Sequence, residues 1–224
     1  MRVVSLVPSL TLTLAELGVE ASQVVGRTPW CIHPKSFVTD IPVVGGTKTP
    51  NLNKILNAQP DLVILDREEN PKQIHDKLVE FGIETFVSTV ERPSDVPDML
   101  RQLGQRLNRV AKADELAQAI DSELQHGERG SGPIVLPLIW HDPLMAVSPK
   151  KYSGALLEEC GIQVPEIEPE GNGYPIITAE HIQFHAIEGL LLSSEPHEFS
   201  KKEGEQISDA VEAIGGQRPW TKCI

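Results

Sequence analysis

The chain has 224 residues, 40% hydrophobic and 23% charged, enough for one large domain or two lobes of about 100 residues each. Its formal net charge of −12, with no local gathering of Lys and Arg, argues against a nucleic-acid partner, whose phosphates need clustered cations. Cys31, Cys160 and Cys223 are too widely spaced to suggest a disulfide framework, and no run of about 18 apolar residues offers a membrane span.

Arg2–Val7 reads as a buried strand. Pro8 interrupts the apolar run, Glu16 follows, and no A-x-A-like cleavage site appears, so the segment does not read as a leader and the chain as written is expected in the cytoplasm. Apolar runs bounded by turn residues then alternate with helix-period segments, the pattern of parallel βα units. The expected strands are Gln23–Val25, Val43–Val44, Asp61–Leu65 and Glu84–Ser88; the expected helices are Ser9–Leu17, Leu52–Ala58, Pro71–Phe81 and Ser94–Leu107. Ser9 and Ser94 are candidate N-caps, Pro71 suits a first turn, and Gly18, Gly82, Gly161 and Gly215 suit the left-handed position that closes a helix.

From Arg109 to Gln125, Val110, Ala113, Ala117, Ile120 and Leu124 recur at spacings of three and four, which predicts one amphipathic helix. A polar Gly-rich turn over His126–Gly132 follows, and the βα rhythm resumes. Strands are expected at Ile134–Ile139, Gln163–Val164, Gly189–Leu192 and Trp220–Ile224, with helices at Tyr152–Glu159, Ala179–His185 and Glu203–Ile214. NLNKILNAQPDLVIL and TAEHIQFHAIEGLLL echo each other as helix, tight turn and strand in the two halves. The simplest plan is two α/β lobes, residues 1–108 and 127–224, joined by a helix over 109–126. A single doubly wound domain is the alternative.

Open α/β sheets bind ligands at the carboxyl ends of their strands. The loops expected there are Pro8-Ser9, Arg27–Pro34, Gly45–Pro50, Trp140–Ser148 and Gly171–Ile176. They hold Trp30, Trp140 and Tyr174 in a chain with only 4% aromatic residues, which points to a flat, bulky, partly apolar ligand.

RVVSLVPSLTLTLAELG, VGRTPWCIHP, VGGTKTPNLNKILNAQPDLVI, the bridging helix and SGALLEECG resemble, in order, the helical-backbone (class III) substrate-binding proteins of ABC transporters. These are the receptors for cobalamin, haem or ferric siderophores, and the cobalamin branch is the most similar. The resemblance implies two Rossmann-like lobes bridged by a single long helix, with the ligand cleft between the lobes. It also implies that Trp30 and Tyr174 stand where that branch carries aromatics, that Trp140 to Met145 add wall, and that Pro8 and Ser9 close the floor. Thr47 stands where cobalamin receptors can carry another aromatic. For docking to membrane subunits, Glu180 matches the acidic position of one lobe, whereas the other lobe has Asn53 in place of Glu; an acid in a first helical turn is also favoured by the helix dipole alone. Members usually continue past the final strand, so the second lobe is expected to be minimal or shortened. A leader removed during export would make the compartment extracytoplasmic.

Cys31, His33 and His141-Asp142 offer thiolate, imidazole and carboxylate, but no single segment supplies the three or four converging groups that zinc needs. His33, His141 or Cys31 is instead a candidate axial ligand to a metal carried by the chelate. No G-x-S-x-G elbow, H-E-x-x-H pair or phosphate loop occurs, so no enzyme is expected. Gly45-Gly46-Thr47-Lys48 reads as a tight turn, with Lys48 placed to pair with a carboxylate or phosphate of the ligand. Cys160 is expected to be a buried small hydrophobe. The reading is therefore a monomeric, non-catalytic receptor that needs no cofactor. It takes a metal-chelate macrocycle, a corrinoid before haem or a ferric siderophore, for a transporter. A cytoplasmic carrier or sensor with the same fold is the alternative.

Overall fold

A computed structural model describes residues 1–126, 130–169 and 171–224. The chain divides into two compact units, one formed by Met1–Val90 and Val96–Asp121, the other by Glu91–Asp95 and Ser122–Ile224. Residues 127–129 of the expected Gly-rich turn lie outside the described residues.

The first unit runs β1 (Val3–Ser5), α1 (Pro8–Glu16), β2 (Val24–Arg27), α2 (Lys35–Val38), α3 (Leu52–Asn57), β3 (Leu62–Asp66), α4 (Lys72–Glu80), β4 (Glu84–Ser88) and α5 (Val96–Arg106). Its four strands lie in the order β2-β1-β3-β4, all parallel. Alternation along the strands explains the layering. Val3, Leu62 and Ile64 face α1 and α5, packing on Leu10, Leu14 and Leu103. Val4, Leu6, Val63 and Leu65 face the other side, packing on Ile55, Ile74 and Leu78. Each such burial is worth roughly 1.5–3 kcal/mol, and a sheet covered on both faces reads as a continuous apolar run. α6 (Val110–His126) starts in the first unit, with Ala113 and Ala117 fully buried.

The second unit contains β5 (Val135–Trp140), β6 (Met145–Ala146), α7 (Tyr152–Glu159), α8 (Ala179–Phe184), β7 (Gly189–Leu192), α9 (Lys201–Ala213) and β8 (Trp220–Cys223). The strand order is β6-β5-β7-β8, with β5, β7 and β8 parallel and β6 antiparallel. Leu136, Leu138, Leu190 and Leu192 pack on Ile182 and Val211.

Several sequence expectations need correcting. Val7 caps α1 and Pro8 opens it, because a ring that fixes φ suits the first helical position; Ser9 is not the cap. Ser94 lies inside a short 3-10 turn, Pro93–Asp95. Gln163 makes only an isolated bridge to Ile134, as does Val43 to Arg27. Cys160 is exposed at the end of α7. The glycine expectation holds at all four positions, with φ between 72° and 84° at Gly18, Gly82, Gly161 and Gly215.

Candidate functional site

In each sheet the first strand stands between its two successors, so connections leave in opposite directions at the carboxyl ends of β1/β3 and β5/β7. Such switch points open the crevices where α/β sheets take ligands. Each unit is built to hold its loops there.

In the first unit the Thr28–Pro34 loop is pinned from below. Cys31 is fully buried; its thiol lies 3.0 Å from Thr11 Oγ1 and 3.1 Å from Thr28 Oγ1, and Thr11 in turn donates 2.8 Å to Ser5 Oγ. The same peg leaves Trp30 65% and Ile32 58% exposed, with His33 exposed beyond them. Cys31 is therefore an anchor, and as an axial ligand it is corrected: its sulfur is enclosed by two threonine side chains. Gly45, with φ 122°, and Gly46 form the expected tight turn, Gly46 N–H donating to Thr49 O at 3.1 Å. A Cβ on Gly45 would stand 2.5 Å from Asn51 N.

Asn70, which sequence reasoning missed, is the polar clasp of this switch point. Its Nδ2 donates to Thr47 O at 2.9 Å and to Leu6 O at 3.3 Å, and its Oδ1 accepts from Asp66 N at 2.9 Å. One buried amide thereby positions the chain leading to Pro8 and Ser9, the Thr47 turn and the end of β3. Lys48 is held within the unit, its ammonium 2.6 Å from Glu68 O and 4.0 Å from Glu69 Oε2.

In the second unit the structure brings Trp140, Met145 and Tyr174 onto one framework. Trp140 pairs with Met145 across β5 and β6, and Met145 bridges to Ile176. Ser148 N–H donates to Gly173 O and Ala146 N–H to Pro175 O, fixing the segment that carries Tyr174. Lys151 Nζ sits 4.9 Å from the centre of the Tyr174 ring, a cation–π distance. Trp140 is 41% exposed, and its indole N–H is committed to Asp142 O at 2.9 Å.

Beside Trp140 lies a cluster that no sequence spacing announced. The His141 and His197 rings stack with centroids 5.6 Å apart at 17°, and Trp140 and Phe199 meet His197 edge-on at 5.9 and 4.6 Å. His197 Nε2 is 3.0 Å from Glu203 Oε1, and His141 Nδ1 is 3.8 Å from the same oxygen. Glu203 also accepts from Ser200 Oγ and Ser200 N, both at 2.6 Å, completing a capping box at the start of α9. Those Ser200 bonds, with His197, hold the carboxyl down at about 2 from its ordinary 4.5. The only hint in the sequence was Ser200 three residues before Glu203.

Asn53 and Glu180 occupy the second position of α3 and α8, after the caps Asn51 and Thr178, and both are exposed. The Thr178 hydroxyl, then the backbone N–H of Glu180 itself, keep the Glu180 carboxyl below the usual range. Among the described residues no group of three or more His, Cys, Asp and Glu converges to hold a metal ion, and no helix is long and apolar enough to cross a membrane. A groove of about 890 Å³ in the first unit runs along the outer edge of β2, between Phe37, Ile41 and Lys54, and touches none of the expected ligand contacts. Phe81, Tyr152, Phe184 and Trp220 are exposed elsewhere, but Trp30 and Trp140 are exposed at the carboxyl ends of strands, and chemistry rather than volume favours those ends as the site.

A vitamin B12-binding protein of Pectobacterium carotovorum is 26% identical over 168 residues, 72% of this chain and 60% of its own length. One of Vibrio parahaemolyticus is 28% identical over 123 residues, 55% of this chain and 44% of its own. The chain thus spans about 60% of the length of the first of these relatives. Among solved structures, the periplasmic haem-binding protein HutB of Vibrio cholerae superposes with a TM-score of 0.80 at 18% identity, covering 100% of this chain and 89% of that one. The periplasmic vitamin B12-binding protein BtuF of the same organism gives 0.77 at 18%, covering 98% and 86%; both likenesses show the fold. The family model described as periplasmic binding protein matches residues 3–214, so the chain belongs to the periplasmic binding protein family.

Proposed function

We propose that the chain is a non-catalytic receptor for a metal-chelate macrocycle, a corrinoid before any other, that serves an ABC importer outside the cytoplasm. One observation carries this reading: each unit exposes a tryptophan at or just after the carboxyl end of a strand and pins it into the unit, Trp30 through Cys31 and Trp140 through the β5–β6 pairing. Large apolar rings held in water by a rigid base are pre-organised platforms, and binding to them loses little ordering entropy. Pro8, Ser9, Thr47 and Lys48 of the first unit and Met145 and Tyr174 of the second are the further contacts of this reading. The relatives named for vitamin B12 support a corrinoid. The neighbours named for haem favour haem as the second reading.

His33, beside Trp30 in the same loop, and His141, next to Trp140, are the imidazoles available to the chelated metal. Asn53 and Glu180, at matching helix positions, are the docking residues for membrane subunits. Because Asn53 carries no charge, docking rests on Glu180, and a carrier or sensor without a transporter is the alternative reading. Tryptophan-quenching titrations with cyanocobalamin, haemin and a ferric siderophore test the proposal. Saturable quenching by cyanocobalamin that disappears in Trp30→Ala/Trp140→Ala supports it. Saturation by haemin alone selects the second reading, and no binding of any chelate refutes the receptor role.

A further inference from the structure

Glu203 does more than cap a helix. In a neutral imidazole one nitrogen donates and the other accepts. His197 turns Nε2 to the Glu203 carboxylate at 3.0 Å, which takes up its N–H and leaves Nδ1 as a lone-pair acceptor. His141 turns Nδ1 towards the same oxygen at 3.8 Å, beyond hydrogen-bond range, so Glu203 sets the tautomer of His197 alone. His197 Nδ1 has no hydrogen-bond partner among the described residues. The neighbouring indole N–H is spent on Asp142 O and Phe199 adds only a ring, so the acceptor Nδ1 of His197 is flanked by π-faces. It lies at the β5/β7 switch point, with His141 directly after β5 and His197 in the loop between β7 and α9.

We infer that the stacked His141–His197 pair, with the His197 tautomer set by Glu203, is a specificity element that selects chelates whose periphery donates hydrogen bonds, namely primary amides, over those bearing carboxylates. This rests on the reading of the chain as a chelate receptor. A primary amide donates to His197 Nδ1. A carboxylate brings only acceptors to that nitrogen, beside the carboxylate of Glu203. The discrimination is of the kind produced when a buried or half-buried polar group meets the wrong partner.

The test uses the full chain at about pH 8 and about 0.5 M salt, so that repulsion from the net charge of −12 is screened. Two probes share one corrin ring: dicyanocobinamide, with peripheral amides, and dicyanocobyrinic acid, with carboxylates. Cyanide fills both axial positions, so coordination by histidine does not contribute. The amide form is expected to bind roughly tenfold tighter, about one hydrogen bond's worth of discrimination. Glu203→Gln keeps a residue suited to the capping box but offers the imidazole an amide donor as well, and the preference should shrink to within about twofold. Long-range proton–nitrogen NMR of the ligand-free protein should show His197 protonated at Nε2. Equal affinity for both probes, an unchanged preference in Glu203→Gln, or a His197 protonated at Nδ1 each overturns the inference. Binding of neither probe sinks the corrinoid reading and this inference with it, an outcome distinct from equal binding.

Discussion

Gln59 and Ala186 adopt the same left-handed backbone conformation, φ 47° and 51°, each three residues before a strand, β3 and β7. Each follows a six-residue helix, with Asn51 or Thr178 as its N-cap and Ala58 or His185 as its C-cap. The two halves therefore repeat a device down to a conformation that L side chains resist by roughly 1–2 kcal/mol. Glycine relieves that strain while adding some unfolded-state entropy. Gln59→Gly and Ala186→Gly are each expected to stabilise the protein by about 0.5–1 kcal/mol. Urea unfolding curves check this, and a lower midpoint in both variants would contradict it.

Gly104 of α5 lies so close to α6 that an added Cβ would stand 2.3 Å from the Cβ of Ala113. Alanine normally favours a helix over glycine by about 0.5–1 kcal/mol, but here overpacking costs about 1–3 kcal/mol and decides the sign. Gly104→Ala should therefore lower stability by about 1–2 kcal/mol. A calorimetric scan that finds the variant equal to or above wild type would show that the helices separate without penalty.

The three cysteines should differ sharply towards a thiol reagent. Cys160 and Cys223 are exposed, and Cys31 is buried between Thr11 and Thr28. Two thiols per chain should titrate within minutes under native conditions, and the third only on adding denaturant. Prompt reaction of all three would mean that the Trp30 loop opens readily and is no fixed platform.

Acid should weaken the second unit through Glu203. Its carboxyl titrates near 2 in the folded chain against an ordinary 4.5. A depressed folded value gives stability that is present above about 4.5 and lost as the pH falls towards 2. Unfolding midpoints should fall across that window, and the fall should be shallower in Glu203→Gln, which has no proton to take up. Parallel pH profiles for the two proteins would assign the acid sensitivity to other carboxylates.

Long periodic elements were legible before any coordinates. β3 over Leu62–Asp66, β4 and the Ala113/Ala117 stripe of α6 fall where apolar spacing put them, because burial on a sheet face or helix stripe leaves a local trace. The misses share a different physics. β6 is two residues whose pairing depends on the backbone of Trp140 and Ile176, and α2 is four residues with only Val38 buried. Cys31 looked available for chemistry because its neighbours Trp30 and His33 are expressive, yet its partner Thr11 lies 20 residues away. Asn70 reaches Leu6, 64 residues back, and His197 meets His141 only through the adjacency of β5 and β7. Contacts of that range carry no signature in a single chain.

Glu91–Asp95 belongs to the second unit although the first unit occupies both sides of it in the chain. Its anchors are specific: Arg92 lies 3.7 Å from Glu158 of α7, and the Pro93–Asp95 turn rests on the same helix. During synthesis this segment emerges from the ribosome well before Glu158 exists. The first unit can therefore close on itself once Asp121 is out, while five residues in its midst wait for a partner still to be translated. Completion of the second unit is thus the event that fixes a segment translated in the middle of the first.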